Sequence, residues 1–256
     1  MQRRSVLQLA VAGALASGVA LPAFAQQGHR PRRLSPGDTV ALVAPASVTY
    51  ESLELQLALE TLEAMGLKAK VGDHVMDRFG YLAGKDEDRA ADINAAFADT
   101  RIDAVFALRG GWGASRVLPY LDFDVIRKNP KILLGYSDIT SLLNAVFAKT
   151  GLITFHGPNV MSRWNDFTHQ GMRRVLFGAR AEVYENPVIV DDDLVARDHR
   201  IQTITSGVAE GPLIGGNLTL MSALLGSPYL PSFSGAILFL EDVGEAIYRV
   251  DRMLTQ

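Results

Sequence analysis

The sequence predicts an α/β fold, with a parallel-sheet N-terminal domain followed by a smaller β-rich C-terminal domain that we expect to be incomplete. Short apolar runs typical of buried strands alternate with amphipathic stretches typical of helices over residues 34–160. Such alternation implies right-handed crossovers and a mainly parallel sheet. The 256 residues, 48% of them hydrophobic, are sufficient for a substantial core. Sites in such sheets lie beyond the carboxyl ends of the strands.

The first half of the N-terminal domain has the order strand, helix, strand, helix. A short apolar run predicts a buried strand over 40–44, and leucines at helical spacing predict a helix over 52–65. Weak alternation favours a second strand over 67–75. Three consecutive acidic residues begin the helix predicted over 86–99, where the helix dipole favours negative charge.

The second half continues with three apolar strands, each followed by a helix. In order, these predicted elements cover 102–108, 115–121, 132–134, 139–148, 152–155 and 166–177. The C-terminal unit adds a helix that ends at Leu225, a strand over 236–240 and a helix that starts near Glu245.

The chain is predicted to have five segments that differ in composition. They are an export signal peptide (1–25), a polar tether (26–33), the N-terminal α/β domain with a nucleophile elbow (34–160), a helix and linker (161–205) and the start of a truncated C-terminal domain (206–256).

The N-terminal segment has the three parts of an export signal. Arg3 and Arg4 precede an apolar run over 6–20, and Ala23 and Ala25 complete an A-x-A cleavage site. The paired arginines favour the twin-arginine route, with the general secretory route as an alternative. Because the run is short for a membrane anchor, we expect cleavage, a periplasmic location and no stable membrane insertion.

Composition excludes several classes of function. Without cysteine, the chain has no thiol nucleophile, zinc–thiolate site or Fe–S cluster. A net charge of −3 provides no basic field for nucleic acid. No pair of histidines or carboxylates has convincing metal-ligand spacing, and the three aspartates at 191–193 are typical of a solvated loop. We therefore expect no nucleic acid partner and no metal, and the mechanism implied by the resemblance given below needs no cofactor.

The strongest local signal is the segment RGGWGASR, from Arg109 to Arg116, which follows a predicted strand. Glycines permit a tight turn there, and backbone N–H groups at a helix start can bind an oxyanion. Ser115 on such an elbow would project its hydroxyl into the crevice. Taken alone, the segment favours Ser115 as a helix N-cap. A phosphate-binding loop is a third alternative, although the glycine spacing does not match G-x-G-x-x-G.

Three other polar groups follow predicted strands. Asp138 is expected to cap the next helix through the N–H group of residue 140 or 141. His156 invites a catalytic interpretation, but a hydrogen-bonded structural role is more common. Glu241 directly follows an apolar strand, so its carboxylate would be partly buried and would need a partner.

Taken together, these motifs resemble the LD-carboxypeptidases, a family of serine peptidases with members that act on murein tetrapeptides or give self-immunity to microcin C. The matching motifs are, in order, VAPAS (43–47), YLAG (81–84) with DRA (88–90), RGGWGASR (109–116), GYSDIT (135–140), FHGP (155–158), GGNL (215–218), LEDVGE (240–245) and YRVDRML (248–254). A collinear series of motifs is far more specific than any one of them.

The resemblance implies a Ser-His-Glu triad in an active site between the two domains. Ser115 matches the nucleophile, and Glu241 matches the acid that orients the histidine. The backbone amides of Gly111 and Arg116 would form the oxyanion hole.

The resemblance also implies the substrate. Asn217 matches a segment near the substrate carboxylate, and Trp112 belongs to the elbow, so both are expected to bind substrate. The reaction would be hydrolysis of the amide between an L-centre and a C-terminal D-residue, such as the D-alanine of a murein tetrapeptide. The implied partners are a murein peptide and, in a homodimer, a second copy of the chain.

One departure from the family pattern concerns the histidine. None of the five histidines matches the family's catalytic histidine, which lies well after the glutamate, and the sequence ends at Gln256. We therefore expect a C-terminal truncation and an inactive 256-residue form. Two alternatives to a murein peptidase stay open. One is a protein that binds murein peptides without cleaving them, and the other is a peptidase for peptide–nucleotide antibiotics of the microcin C type.

Overall fold

The structure is a computed structural model that describes residues 28–181, 183–185, 195 and 200–256. Within these residues, helices flank a five-stranded parallel sheet, and a separate two-stranded sheet follows. The predicted α/β class is confirmed. The export signal, the first two residues of the tether and the aspartates at 191–193 lie outside the described residues.

The large sheet has the strand order β2-β1-β3-β4-β5. Its strands are β1 (Thr39–Val43), β2 (Lys68–Val71), β3 (Ala104–Ala107), β4 (Ile132–Gly135) and β5 (Phe155–His156). The helices around it are α1 (Ser52–Ala64), α2 (Asp86–Ala98), α3 (Phe123–Lys128), α4 (Thr140–Thr150) and α5 (Asp166–Met172). Two 3₁₀ helices (Ala114–Tyr120 and Ser137–Ile139) and a π-helical turn (Arg173–Phe177) complete this unit.

The central strands are apolar because both of their faces are covered. In β1, Val40 and Leu42 join the core formed with α1 and α5, whereas Ala41 and Val43 join the core formed with α2, α3 and α4. Side chains alternate between the two faces of a strand, so one uninterrupted apolar run supplies both cores. The carboxyl ends of β1, β3 and β4 therefore meet at one edge, fixed by packing on both sides.

Several element boundaries differ from the predictions for identifiable reasons. Strand β2 is shorter than 67–75 because the chain turns at Gly72, where the Asp92 carboxylate accepts a hydrogen bond from the His74 N–H at 3.0 Å. Helix α3 was not predicted, and Asp122 begins it by accepting two backbone hydrogen bonds. The segment after β3 forms a 3₁₀ helix instead of the predicted short helix over 115–121.

The second unit consists of β6 (Leu213–Asn217), α6 (Leu218–Ala223), β7 (Ile237–Glu241) and α7 (Ile247–Thr255), with β6 and β7 parallel. It docks on α4 through two buried hydrogen bonds. The Asn144 side chain donates to Gly215 O at 2.9 Å, and the Asn217 N–H donates to Thr140 Oγ1 at 3.0 Å. Among the described helices, none combines the length and the apolar content needed to cross a membrane.

The packing of the sheet predicts a large stability loss at Phe106, which is fully buried in β3. We expect Phe106→Ala to lower the free energy of unfolding by about 3–5 kcal/mol, because the ring leaves a cavity between packed layers. Denaturant unfolding followed by circular dichroism measures this loss. The control is Phe167→Ala on α5, where the ring is exposed and the loss should be small. Equal losses for the two variants would contradict the packing described here.

Candidate active site

The chain makes a tight elbow between β3 and the 3₁₀ helix Ala114–Tyr120. Gly111 and Gly113 adopt φ angles of +112° and +102°, in the left-handed region that favours glycine. A side chain at Gly111 would overlap Ser47, and one at Gly113 would overlap Leu82. The glycines of the motif are thus required both by backbone conformation and by close packing.

Ser115 is the second residue of this 3₁₀ helix and is half-buried. The N-cap position belongs to Gly113, and no side chain caps the helix. The N-cap interpretation of Ser115 is therefore wrong, because the helix begins one residue before it. Its hydroxyl is not committed to a cap, and Ser115 belongs to the segment that follows the carboxyl end of β3, where sites of such folds are found.

The two amides predicted for the oxyanion hole differ in their hydrogen bonding. Among the described residues, the Gly111 N–H has no hydrogen-bond partner. The Arg116 N–H instead donates to Gly113 O at 3.1 Å within the 3₁₀ turn. An oxyanion could reach the Arg116 amide only by sharing or replacing that bond. Next to Gly111, Ser47 accepts the Trp112 N–H at 3.0 Å, a contact the sequence did not predict.

Aromatic side chains form one rim of the elbow. Trp112 is 68% exposed, and its ring meets the exposed ring of Tyr81 edge to face, with centroids 6.4 Å apart. Large exposed aromatic rings are typical of binding surfaces, because they bury much apolar area when a ligand covers them. The position of Trp112 is compatible with its predicted contact to substrate.

A network of charged side chains contacts the elbow. The buried guanidinium of Arg89 on α2 donates to the carbonyl oxygens of Pro45 and Gly113 and pairs with Asp86. Asp86 also pairs with the Arg116 guanidinium at 2.9 Å. The hydrogen bond from Arg116, supported by Arg89, lowers the pKa of Asp86 below its ordinary value, so this network keeps its charges.

Asp138 contacts the elbow instead of capping a helix. Its carboxylate accepts the Ala114 N–H at 2.6 Å, and it caps neither the 3₁₀ helix Ser137–Ile139 nor α4. The prediction of a helix cap is therefore wrong. Burial raises the pKa of Asp138 to about 6, against the Ala114 hydrogen bond and the charge of Arg89, which both lower it. The preceding residue, Ser137, has a strained φ of +62°.

Asn217 and Glu241 lie opposite each other on the paired strands β6 and β7. The Asn217 side-chain oxygen accepts the Leu220 N–H at 3.3 Å and so caps α6, which is a structural role alongside the predicted substrate contact. Glu241 is half-buried, and its Oε1 atom is buried with no hydrogen-bond partner among the described residues. Burying a carboxylate oxygen without a hydrogen-bond donor is energetically costly.

Among the described residues, no histidine is hydrogen-bonded to Ser115 or Glu241. His156 lies at the end of β5, with its ring against those of Tyr136 and Phe239 at 6.3 and 5.2 Å. Burial lowers the pKa of His156, which favours the neutral ring beside a mostly apolar cavity of about 670 Å³.

The other histidines lie elsewhere. His74, Asp77 and Asp88 form a cluster of possible metal ligands, within which the His74–Asp77 ion pair at 2.8 Å explains the proximity of two members. The backbone of His29 pairs with that of Leu152 in an isolated bridge, His169 lies on α5, and His199 lies outside the described residues.

The comparisons with known proteins agree with the motifs. The sequence profile of the LD-carboxypeptidase N-terminal domain matches residues 40–157, and that of the LD-carboxypeptidase C-terminal domain matches residues 210–256. A probable murein peptide carboxypeptidase of Bacillus subtilis (strain 168) is 38% identical over 228 residues, which are 89% of this chain and 69% of that protein.

Two other similar proteins extend this comparison. The murein tetrapeptide carboxypeptidase of Pseudomonas aeruginosa is 38% identical over 228 residues, covering 85% of this chain and 70% of that protein. The crystal structure of an MccF-like protein from Bacillus anthracis str. Ames superposes with a TM-score of 0.76 at 28% identity, covering 89% of this chain and 75% of that one. The chain therefore belongs to the LD-carboxypeptidase family, a family of carboxypeptidase hydrolases.

Proposed function

We propose that this protein is a serine-type LD-carboxypeptidase that removes the C-terminal D-alanine from murein tetrapeptides. Ser115 would attack the carbonyl carbon of the amide between the L-centre and the D-residue. A histidine would take the serine proton and then donate it to the leaving amine, and Glu241 would orient that histidine. Water would release the acyl group in the second step.

The observation that carries this proposal is the elbow itself. Ser115 follows a turn of two left-handed glycines, its hydroxyl does not cap the helix, and the Gly111 N–H of the same turn has no partner among the described residues. A nucleophile and an unpaired backbone donor on one elbow suit acyl transfer, because the donor can stabilise the negative charge on the tetrahedral intermediate. We propose the Gly111 amide as the main oxyanion donor, with Arg116 contributing only if its turn hydrogen bond opens.

The binding of a free C-terminal residue needs a donor for the carboxylate and a surface for the rest of the peptide. We propose that the Asn217 side-chain NH₂ group provides the donor, because the capping bond to α6 uses only its oxygen. Trp112 and Tyr81 would provide the surface.

The general base is the remaining component. The family resemblance places the catalytic histidine after Glu241 in the sequence, and the buried Oε1 atom of Glu241, which has no partner among the described residues, is suited to accept its N–H group. Assays of the proposed activity therefore use the full-length natural protein.

The first test of the proposal is Ser115→Ala. We expect D-alanine release from a murein tetrapeptide to fall by at least about a thousandfold, because the nucleophile is lost while binding groups are kept. The measurement is product analysis by liquid chromatography and mass spectrometry. The variant control is Ser234→Ala in the exposed loop before β7, and the substrate control is the same peptide ending in L-alanine.

The outcomes of this test separate the three candidate functions. D-alanine release that persists in Ser115→Ala would refute the proposed nucleophile. Tight tetrapeptide binding in calorimetry, without cleavage and unchanged by Ser115→Ala, would indicate a binding protein. Preferential cleavage of a peptidyl nucleotide would indicate an enzyme of the microcin C type, for which the exposed Trp112 ring offers a stacking surface.

Trp112→Ala tests the proposed binding surface. We expect KM for the tetrapeptide to rise about tenfold with little change in kcat, because the ring would bind substrate and transition state equally. Steady-state kinetics measures the two constants separately. Tyr248→Ala, which removes an exposed aromatic ring from α7, is the control and should leave both constants unchanged. A fall in kcat with unchanged KM would instead assign Trp112 to the elbow conformation.

We also propose that the protein is exported to the periplasm, where murein is found. The basis is the arrangement of Arg3, Arg4 and the apolar run over 6–20. We expect replacement of both arginines by lysine to retain the precursor in the cytoplasm, as measured by cell fractionation and immunoblotting. Normal export of that variant would indicate the general secretory route, and a wild-type protein confined to the cytoplasm would contradict export.

A further inference from the structure

Two buried charged side chains hold the peptide unit between Gly113 and Ala114, directly before Ser115. Arg89 Nη1 donates to Gly113 O at 3.0 Å, and the Ala114 N–H donates to Asp138 Oδ2 at 2.6 Å. Arg89 is 1% exposed and Asp138 is 3% exposed. A cation and a carboxyl group, from different parts of the fold, thus bind the two ends of one peptide plane.

This arrangement restricts the elbow more than ordinary packing does. Rotation of the peptide plane would break both hydrogen bonds and leave two buried polar groups without partners, which is costly in a protein interior. The plane follows Gly113, whose φ of +102° gives a backbone that most residues would resist. The next peptide unit along the chain carries Ser115, so the orientation of the Gly113–Ala114 plane restricts the direction of the serine side chain.

We propose that Asp138 and Arg89 are positioning residues that fix the elbow backbone so that Ser115 Oγ is aligned for attack. The inference rests on the proposed function, because it takes Ser115 as the nucleophile. Neither side chain needs to touch the substrate. A displacement of about 1 Å at a reacting group can lower the rate on the order of a hundredfold, so control of one peptide plane has a measurable effect.

The surroundings of Asp138 make its contribution to the stability of the protein depend on pH. Arg89 is the charged group that faces it, and Arg89 is in turn paired with Asp86, which binds Arg116. Burial raises the pKa of Asp138 from 3.8 to about 6. The native protein therefore holds this proton to higher pH than the unfolded chain does. The contribution of Asp138 to stability is accordingly greatest below about pH 4, falls as the pH rises to about 6, and is constant above that.

Three variants test the proposal by activity. Asp138→Leu removes the acceptor, and we expect kcat to fall about a hundredfold with KM unchanged, because no substrate contact is lost. Asp138→Asn keeps an oxygen for the Ala114 N–H and should recover most of that loss. The matched control is Asp92→Asn on α2, a buried carboxylate that accepts the His74 N–H away from the elbow and should leave kcat unchanged.

Two further measurements need no substrate. Hydrogen exchange of the Ala114 amide should accelerate in Asp138→Leu and stay slow in Asp138→Asn, since only the leucine variant loses the acceptor. The free energy of unfolding of the wild-type protein, relative to Asp138→Asn, should fall between about pH 4 and pH 6 and then stay level. Equal pH dependence of these two proteins would overturn the assignment, even where Asp138→Leu does not fold.

The outcomes distinguish this inference from the proposed function. If Ser115→Ala abolishes D-alanine release while a folded Asp138→Leu keeps wild-type kcat, the positioning role is wrong and the proposed function stands. If Ser115→Ala keeps its activity, both are wrong. An equal fall in kcat for Asp92→Asn and Asp138→Leu would reduce the effect to general destabilisation and would also overturn the positioning role.

Discussion

The hydrogen bonds of the Arg89 guanidinium are the interactions on which the rest of this site depends. The guanidinium lies buried in α2 and binds three segments at once: the loop after β1 at Pro45, the elbow after β3 at Gly113, and the first turn of its own helix at Asp86. Its rigid fork of donors suits this role, which an ammonium group could not reproduce in the same geometry. Burying this charge is costly, and three acceptors offset part of the cost. Burial still lowers the pKa of Arg89, and its Nε atom has no hydrogen-bond partner among the described residues. Arg89 therefore holds the segments that follow β1 and β3 in a fixed position relative to each other.

The second unit is aligned with the first through the segment after β4. Asp138 contacts the elbow at Ala114, and two residues later Thr140 accepts the Asn217 N–H on β6. Asn217 in turn lies opposite Glu241 in the paired strands. One short stretch thus touches both the part of the chain that carries Ser115 and the part that carries Glu241. The proposed triad would draw its residues from both units and would need such a connection, because catalytic geometry tolerates only small displacements.

The spacing of apolar and charged residues predicted those strands and helices whose formation depends on their own sequence. Strands β1, β3 and β4 are uninterrupted apolar runs, and α2 begins with acidic residues, so their type was predictable. Strand β6 was missed because Gly215 and Gly216 in its middle are typical of a turn. The structure requires those glycines, since a side chain at Gly215 would overlap the backbone of β7 and one at Gly216 would overlap Thr140. This close packing between segments depends on the tertiary structure, and the order of residue types along the chain does not indicate it.

The residues of the candidate site show the same difference between what the sequence indicates and what only the folded chain shows. Ser115 and Glu241 were singled out because the segments that carry them match family motifs. The contacts of Asp138 and Arg89, in contrast, join distant segments of the chain. Asp138 precedes a helix, so its short-range pattern is that of a cap, and only the folded chain brings it to Ala114. Arg89 stands in an acidic helical turn that would suit a solvated residue, yet it is buried. The groups expected to react are thus visible in the sequence, while the groups that hold them are visible only in the fold.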